Sequence, residues 1–275
     1  VFSHRDLGYP SNYQQKFPSF LGINLIRRVF DNRFWRVFTR GGRHNMLYKL
    51  IFLPSEAYSM WRHLTGPRIN FSRGFLLEDR ATPEEATAIR AYFSQMVALQ
   101  GKKRLAFKIT GPARIGYLLS IFPDAQFVYI KRRLVPTMNS FLKISFWETR
   151  GKYRLWFTGA YSAVEKQWAA AQKQAATLTA FQLGRINAVT QKEIAQHNAN
   201  VFEYDYEDFV KNPEMTLRLL LDFLQLHHDS DCYSYLDKNP VYDNAKSDAH
   251  YFNPAELEQI YKAYEKGCTI DFQLG

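Results

Sequence analysis

The chain has 275 residues, of which 46% are hydrophobic and 16% aromatic, a composition that excludes intrinsic disorder and indicates a large packed core. Thirty-six basic side chains against 26 acidic ones leave a net charge of +10, which suits anionic partners. Because there are only two cysteines, we expect no disulfide framework and a cytoplasmic protein. No Cys/His cluster has zinc spacing, so we expect no metal. No run reaches the roughly 20 apolar residues that span a bilayer, so we expect no transmembrane segment.

The N-terminal part of the chain is predicted to be mostly helical. Residues 1–6 resemble the end of a helix and residues 7–12 a turn, and helices are predicted over residues 20–38 and 46–64. A further helix begins at Thr82-Pro83-Glu84-Glu85, with Thr at the N-cap, Pro at the first helical position and Glu at the capping-box position. We expect this helix to reach about Leu99.

The first of these helices is rich in arginine. One interpretation is an amphipathic surface helix whose arginines are solvated, and the other is a docking surface for an acidic acceptor or a nucleic acid. The chain has no nucleic-acid-binding signature with interleaved aromatic residues, so we expect no nucleic-acid partner. The arginines are Arg27, Arg28, Arg33, Arg36, Arg40 and Arg43.

From about residue 100, predicted strands alternate with predicted helices. This alternation is typical of a parallel sheet covered by helices on both faces, here in a single α/β domain over residues 1–275. The strands are predicted at 105–108, 126–132 and 200–204. The helices are predicted at 112–122, 136–146, 161–197 and 254–266, and Gly184 is a candidate interruption of the third. A further helix is predicted to begin at Pro213, after the N-cap Asn212.

The second of these strands ends in cations. An apolar run from Gln126 leads into Lys131, Arg132 and Arg133, which predicts a buried parallel strand that carries Arg132 to the carboxyl edge of the sheet. Ser140 follows eight positions later in a predicted helix. An Arg fork and a Ser hydroxyl together suit a phosphate, whereas the alternative is a solvated strand end.

Several features in this order resemble the PAPS-dependent sulfotransferases, of the bacterial, carbohydrate type. The resemblance is best over residues 100–226 and implies a P-loop-type parallel sheet flanked by helices, which transfers a sulfuryl group from PAPS to an acceptor hydroxyl. A small molecule or a carbohydrate is the implied acceptor, and the sequence does not give the oligomeric state. The matching positions are Lys108, Pro123-Asp124-Ala125, Arg132, Ser140, Tyr206-Glu207-Asp208 and Pro213-Glu214.

The resemblance also implies roles for individual residues. Arg132 and Ser140 match the pair that holds the 3′-phosphate of PAPS, and Lys108 stands where a family lysine lies near the transferred sulfuryl group. Lys246 and Ser247 belong to a late basic loop that would close over the 3′-phosphate. Tyr206 and Glu207 would be architectural, and Trp147 and Trp168 suit core packing better than stacking on adenine or a sugar. Thr110 and Arg114 are weaker candidates, at a helix start that would favour anions.

In cytosolic relatives a His follows two positions after the strand-end Lys, and this chain has Thr110 there, which cannot serve as the general base. The segment around Pro54-Ser55-Glu56 resembles a Pro-His-Glu-aromatic stretch, which makes Glu56 the candidate catalytic base beside Lys108. The alternative is that Glu56 only faces a helix dipole. The other candidate bases are Glu78, Asp79, His44 and His63.

One departure from the family concerns the Gly-, Ser- and Thr-rich phosphate loop, which this sequence does not contain. Because residues 1–6 resemble the helix that follows the loop, we expect the loop upstream of residue 1.

Two other functions stay open. A P-loop kinase would need Mg²⁺ ligands and a phosphate-loop Lys that the sequence does not present, and a non-catalytic module would bind a nucleotide or polyanion on the same scaffold.

Overall fold

A computed structural model describes residues 1–30, 46–242 and 247–270. The described part is a mixed α/β structure in which helices flank short parallel strands. In chain order the elements are β1 Leu7–Gly8, α1 Asn12–Lys16, α2 Ile23–Phe30, α3 Met46–Phe52, α4 Tyr58–Thr65, α5 Pro83–Leu99, β2 Arg104–Leu105, α6 Ile115–Ile121, β3 Phe127–Lys131, α7 Leu134–Lys143, α8 Ser145–Arg150, α9 Ala163–Ala171, α10 Ala175–Gln196, β4 Val201–Asp205, α11 Tyr206–Lys211, α12 Pro213–Phe223, α13 Ser230–Lys238, a 3-10 turn at Asp248–His250 and α14 Pro254–Cys268.

The four strands in the described part of the chain pair in parallel, as the strand and helix alternation predicted. They form two pairs, β1 with β2 and β3 with β4, and no ladder joins the pairs in the described residues, so one continuous sheet is not seen there. Arg104 links them instead, because its guanidinium donates to the carbonyl of Leu224 and, at 2.7 Å, to Oε1 of Gln126 just before β3.

Strand β3 is not buried on both faces, contrary to the expectation. Its residues alternate between half-buried and exposed, and the exposed face carries Val128 and Ile130, which are 39% and 53% exposed. The described helices therefore cover one face of this strand, which corresponds to an alternating strand and not to the fully covered parallel type.

The predicted helix over 46–64 is interrupted by contacts with the N-terminal segment. It ends at Phe52 and resumes at Tyr58. The amide of Ser55 donates to the carbonyl of Pro10 at 3.0 Å, and the carbonyl of Leu53 accepts from the amide of Asn12 at 3.3 Å. Backbone groups that a helix would pair internally are thus paired with another segment, which no local pattern reveals.

The predicted helix over 161–197 is also two helices, and the break lies at residues 172–174 instead of Gly184. Gly184 is buried inside α10, where it allows close contact with α14. A Cβ atom at Gly184 would lie 2.2 Å from the carbonyl oxygen of Tyr264, and one at Gly267 would lie 2.2 Å from that of Phe181. The two glycines therefore permit the crossing of these helices.

Other boundaries differ by smaller amounts. Residues 1–6 form turns and not the end of a helix. The predicted turn at 7–12 contains β1 and the start of α1. The helix predicted at 136–146 is divided between α7 and α8. The helix predicted over 20–38 begins at Ile23, and its second half lies outside the described residues. Strand 105–108 pairs only over Arg104–Leu105, and the helix at 112–122 is shorter at its start.

Two helix starts are confirmed. The hydroxyl of Thr82 accepts from the amide of Glu85 at 3.1 Å in a full capping box, and α5 runs to Leu99 as predicted. Helix α12 begins at Pro213, with Leu217, Leu220 and Leu221 buried, although the Asn212 side chain makes no capping hydrogen bond. In the described ranges no helix has the length and apolar character to cross a bilayer.

An aromatic cluster holds the segments that carry the candidate site. Trp61 of α4 is fully buried and stacks on Phe71, with ring centroids 4.2 Å apart. The ring of Phe107, which directly precedes Lys108, lies 5.3 Å from Trp61 and 4.8 Å from Phe93 of α5. This packing fixes the start of α4 against the segment after β2.

Candidate active site

The two residues predicted as catalytic, Glu56 and Lys108, are in contact. The Lys108 ammonium Nζ lies 3.0 Å from Oε1 of Glu56, with side chains 47% and 26% exposed. A carboxylate beside an ammonium group, both reached by solvent, can accept a proton and stabilise developing negative charge in one place.

The backbone around Glu56 is held in an unusual conformation. Ala57 adopts the left-handed region with φ 50° and ψ 44°, and its side chain is 1% exposed. The amide of Ala57 donates to the Ser55 hydroxyl at 3.2 Å. A non-glycine residue there carries strain of about 1–2 kcal/mol, which the surrounding packing must offset, and such strain is concentrated at functional sites.

A second contact joins the same two segments. The phenol of Tyr58 donates to the carbonyl oxygen of Thr110 at 2.8 Å and lies 3.1 Å from its hydroxyl. Residues 56 and 58 thus face residues 108 and 110 across matching positions. Tyr58 had no role predicted from the sequence, although it lies in the stretch that identified Glu56.

Arg132 lies immediately beyond the end of β3, and its guanidinium carbon is 4.7 Å from the centre of the Tyr206 ring. In the described part of the chain, Arg132 is exposed and forms no ion pair. Glu207 accepts from the backbone amide of Arg133 at 3.3 Å and pairs with its Nε at 3.5 Å. Tyr206 and Glu207 therefore support the turn that presents Arg132.

The remaining predicted phosphate ligands are less constrained. Ser140 is exposed in the second turn of α7. Ser247 is exposed at the start of the 3-10 turn, where its side chain makes no capping hydrogen bond, and Lys246 lies outside the described residues. The structure brings Glu56 and Lys108 into contact, and no contact joins the other predicted site residues among those described.

The start of α6 is not a free anion site, contrary to the expectation for Thr110 and Arg114. The carboxylate of Glu193, from α10, already accepts from the amide of Gly116 at 3.1 Å. Arg114 is fully buried, and its guanidinium donates to the carbonyls of Gly74 and Pro112. Burial lowers the pKa of Arg114 to about 10 and raises that of Glu193 to about 7.

The other candidate bases do not join the pair. Asp79 lies 4.0 Å from Arg68, while Glu78 and His63 are exposed, and in the described ranges none of the three contacts Lys108. His44 lies outside the described residues. Trp147 is 2% exposed and its indole donates to the hydroxyl of Thr179 at 3.0 Å, so it belongs to the core, as predicted.

One cluster has the residue types of a metal site, His4 with Asp6 and His227. Nδ1 of His4 accepts from the amide of Asp6 at 3.1 Å, and Nε2 must donate to the carbonyl of His227 at 3.0 Å because a carbonyl only accepts. Both ring nitrogens are therefore used by the backbone. His4 is a buried structural histidine with no lone pair available for a cation.

Comparison with known proteins gives one result. A model described as "Sulfotransferase family" matches residues 57–230, which is more than half of the chain. No curated protein and no solved structure matches the chain. The matched range begins directly after Glu56 and includes Lys108, Arg132 and Ser140.

Proposed function

The chain belongs to the sulfotransferase family, and from that premise we propose that it transfers a sulfuryl group from PAPS to the hydroxyl of a small molecule or carbohydrate. The observation that carries the proposal is the 3.0 Å contact between Lys108 and Glu56. Both residues were identified from separate parts of the sequence, and sulfuryl transfer can use a proton acceptor for the attacking hydroxyl and a cation for the charge that develops on the transferred group.

The two side chains have complementary tasks in this proposal. Glu56 accepts the proton of the acceptor hydroxyl, which makes the oxygen a better nucleophile. The ammonium of Lys108 contributes positive charge next to the oxygens of the transferred sulfuryl group, over which negative charge spreads. PAPS would supply an activated sulfuryl group on a phosphate leaving group, and a transfer of this kind depends mainly on positioning and charge stabilisation.

Arg132, Ser140, Lys246 and Ser247 would hold the 3′-phosphate of the donor. Arg132 supports this role best, because its guanidinium face rests on Tyr206 and no carboxylate of the described residues pairs with its N–H groups. A guanidinium oriented by a ring keeps its donor edge available for an oxyanion. The exposed hydroxyl of Ser140 adds a donor from the next helix.

Three broader proposals accompany this one. The chain forms a single domain of P-loop type over residues 1–275. It needs no metal for transfer, because basic side chains supply the positive charge. It works in the cytoplasm. The last proposal is based on cysteine usage, since Cys232 and Cys268 are both free thiols.

The deciding experiment is a thermal-shift titration with PAP, using ATP as the comparator, followed by a transfer assay with isotopically labelled PAPS. A ligand that binds the native state raises the melting temperature by mass action. We expect stabilisation by PAP well beyond ATP, and label transfer to at least one acceptor in a panel of sugars and phenols.

The other outcomes would change the assignment. Stabilisation by PAP without transfer to any acceptor would favour a non-catalytic nucleotide-binding module. Stabilisation by ATP and not PAP would favour a kinase and overturn the proposal. Absence of any response to PAP and of any transfer would remove the donor assignment altogether.

A further inference from the structure

Helix α2 packs with its polar side toward the protein and its apolar side outward. Asn24 and Arg27 are buried. By contrast, the side chains of Leu25, Ile26 and Val29 are between 46% and 59% exposed. A helix on the surface of a globular protein normally turns its apolar stripe to the core. The expectation of solvated arginines is therefore wrong at Arg27, and this helix presents apolar side chains to its surroundings instead.

Hydrogen bonds hold α2 in this orientation. Nη1 of Arg27 donates to the carbonyl of Tyr9 at 2.9 Å, and the guanidinium carbon lies 3.7 Å from the centre of the Tyr9 ring. Nε2 of Gln100 donates to Oδ1 of Asn24 at 2.8 Å and to the carbonyl of Tyr9 at 3.0 Å. A rotation that turned the apolar side inward would break these buried hydrogen bonds, which is costly. The outward apolar side is thus a fixed feature of the fold.

Two phenylalanines between α1 and α2 extend this apolar side. Phe17 and Phe20 are about half exposed, and their ring centroids lie 4.9 and 6.2 Å from that of Tyr13. A Cβ atom on Gly22 would lie 2.7 Å from the Phe20 ring. Gly22 precedes two of the exposed residues of α2 by three and four positions, so the Phe20 ring lies on the same side. The outer apolar surface consists of Phe17, Phe20, Leu25, Ile26 and Val29.

The chain around this surface is strongly basic. Residues 7–55 contain eight Lys and Arg but a single acidic residue, Asp31, so this stretch carries most of the net charge of +10. Among the described residues, Lys16 precedes Phe17 and Arg28 lies on α2, and both are exposed. Lys49 is also exposed, on α3, which packs against α1 and α2. Cations therefore border the outer apolar surface.

We propose that the outer apolar surface inserts into the headgroup region of a membrane that contains anionic lipids. Apolar side chains bordered by Lys and Arg, in a stretch almost free of carboxylates, match a leaflet that is apolar inside and negatively charged at its surface. Exposed apolar patches with a polar rim mark interaction sites of this kind.

Other partners fit these features less well. A second copy of the chain would place the same positive charge against itself, which opposes association. A nucleic acid would match the cations but leave the leucine, isoleucine and phenylalanine side chains without an apolar partner. The proposal does not depend on the sulfotransfer assignment, because no residue of the outer apolar surface is a proposed donor or catalytic residue.

The test is co-sedimentation of the full chain with vesicles at about 0.15 M salt, where exposed charges are partly screened. One set of vesicles contains equal parts of phosphatidylcholine and phosphatidylglycerol, and the other contains phosphatidylcholine alone. The variant is the double substitution Leu25→Gln and Ile26→Gln. The matched control is Met215→Gln with Leu219→Gln, two exposed apolar residues four positions apart on α12. Circular dichroism and melting temperature verify that each variant folds.

We expect the partition coefficient on anionic vesicles to fall at least tenfold in the Leu25 and Ile26 variant, and to stay within twofold in the control. The wild-type chain should bind neutral vesicles at least tenfold more weakly than anionic ones. Absence of binding to anionic vesicles, equal binding to both kinds, an unchanged variant or an equal loss in the control would overturn the proposal.

Two further measurements separate the other partners. Light scattering without vesicles would assign this surface to self-association if the wild-type chain is a dimer and the Leu25 and Ile26 variant a monomer. Linear polyglutamate that displaces the chain from vesicles at equal charge concentration would indicate an acidic protein partner. Either result would overturn the membrane proposal, and we expect a monomer that polyglutamate does not displace.

Discussion

The phenol of Tyr58 donates to the carbonyl oxygen of Thr110 at 2.8 Å, two residues beyond each member of the Glu56 and Lys108 ion pair. These two contacts form a short bridge between the start of α4 and the segment after β2. The Trp61 and Phe107 rings pack behind it at 5.3 Å. The hydroxyl of Tyr58 and the ring of Phe107 therefore both help to set the relative placement of the candidate base and the candidate cation.

Tyr58→Phe should lower turnover without unfolding the chain. The substitution removes a partly exposed hydrogen bond of about 1 kcal/mol and leaves the ring in place, so the melting temperature should change little. Because the segment that carries Lys108 loses the Tyr58–Thr110 contact with the start of α4, we expect a roughly tenfold fall in kcat with nearly unchanged PAP affinity. The control is Tyr233→Phe, whose hydroxyl contacts His228 at 2.7 Å away from the site. Equal kcat in both variants would remove the positioning role.

Glu56→Gln tests the general base. The amide keeps the shape of the side chain but cannot accept the acceptor proton, so kcat should fall by roughly 10²–10⁴ while PAP affinity is retained. Glu78→Gln is the matched control, because Glu78 is exposed and was one of the competing candidates. If the Glu78 variant loses activity and the Glu56 variant does not, the base assignment moves to Glu78.

Arg132→Ala tests the phosphate contact. A hydrogen bond to a charged group contributes about 1.5–3 kcal/mol, so the Kd for PAP in calorimetry should rise by at least tenfold. Lys143→Ala removes the same charge from the end of α7 and should leave the Kd within twofold, since Lys143 is exposed and not assigned to the site. Equal losses in both variants would indicate general charge attraction and not a specific ligand.

Glu193 should make stability depend on pH. Burial is the main cause that raises its pKa from 4.5 to about 7, so the folded state holds this proton more tightly than the unfolded state. The contribution of Glu193 to the free energy of unfolding is therefore lost as the pH rises from about 4.5 to about 7, and this loss is complete above about pH 7.

The neutral variant Glu193→Gln isolates this contribution. Its amide oxygen can still accept from Gly116, but it does not ionise. In urea denaturation between pH 4 and pH 8, the free energy of unfolding should fall by roughly 1–3 kcal/mol more for the wild-type chain than for the variant. Parallel pH profiles for the two proteins would contradict the raised pKa.

Gly184→Ala tests the contact between α10 and α14. The new Cβ would lie 2.2 Å from the carbonyl oxygen of Tyr264, so the helices must separate, at a cost of about 1–3 kcal/mol. Helix propensity acts in the opposite direction, because Ala is favoured over Gly by about 1 kcal/mol in a helix. The sign of the change in melting temperature is therefore diagnostic. A lower value supports the close contact, and a higher value contradicts it.

Features that depend on neighbouring residues were predictable from the sequence. The capping box of Thr82 and Glu85 correctly located the start of α5, and the apolar run before Arg132 correctly predicted β3. The motifs around Lys108 and Tyr206 resembled the family whose model matches residues 57–230. These signals are local, since capping, periodicity and motif spacing need only a short window of chain.

Features that depend on distant residues were decided by the tertiary structure. The break before Tyr58 forms because Ser55 pairs with Pro10, and the start of α6 is occupied because Glu193 reaches Gly116. The break at residues 172–174 occurs within a run of good helix formers. By itself, the sequence predicted most of the helices and strands and the residues that are proposed for sulfuryl transfer. Only the tertiary structure decided that Glu56 meets Lys108, because that contact joins two segments whose separation in the chain leaves no local trace.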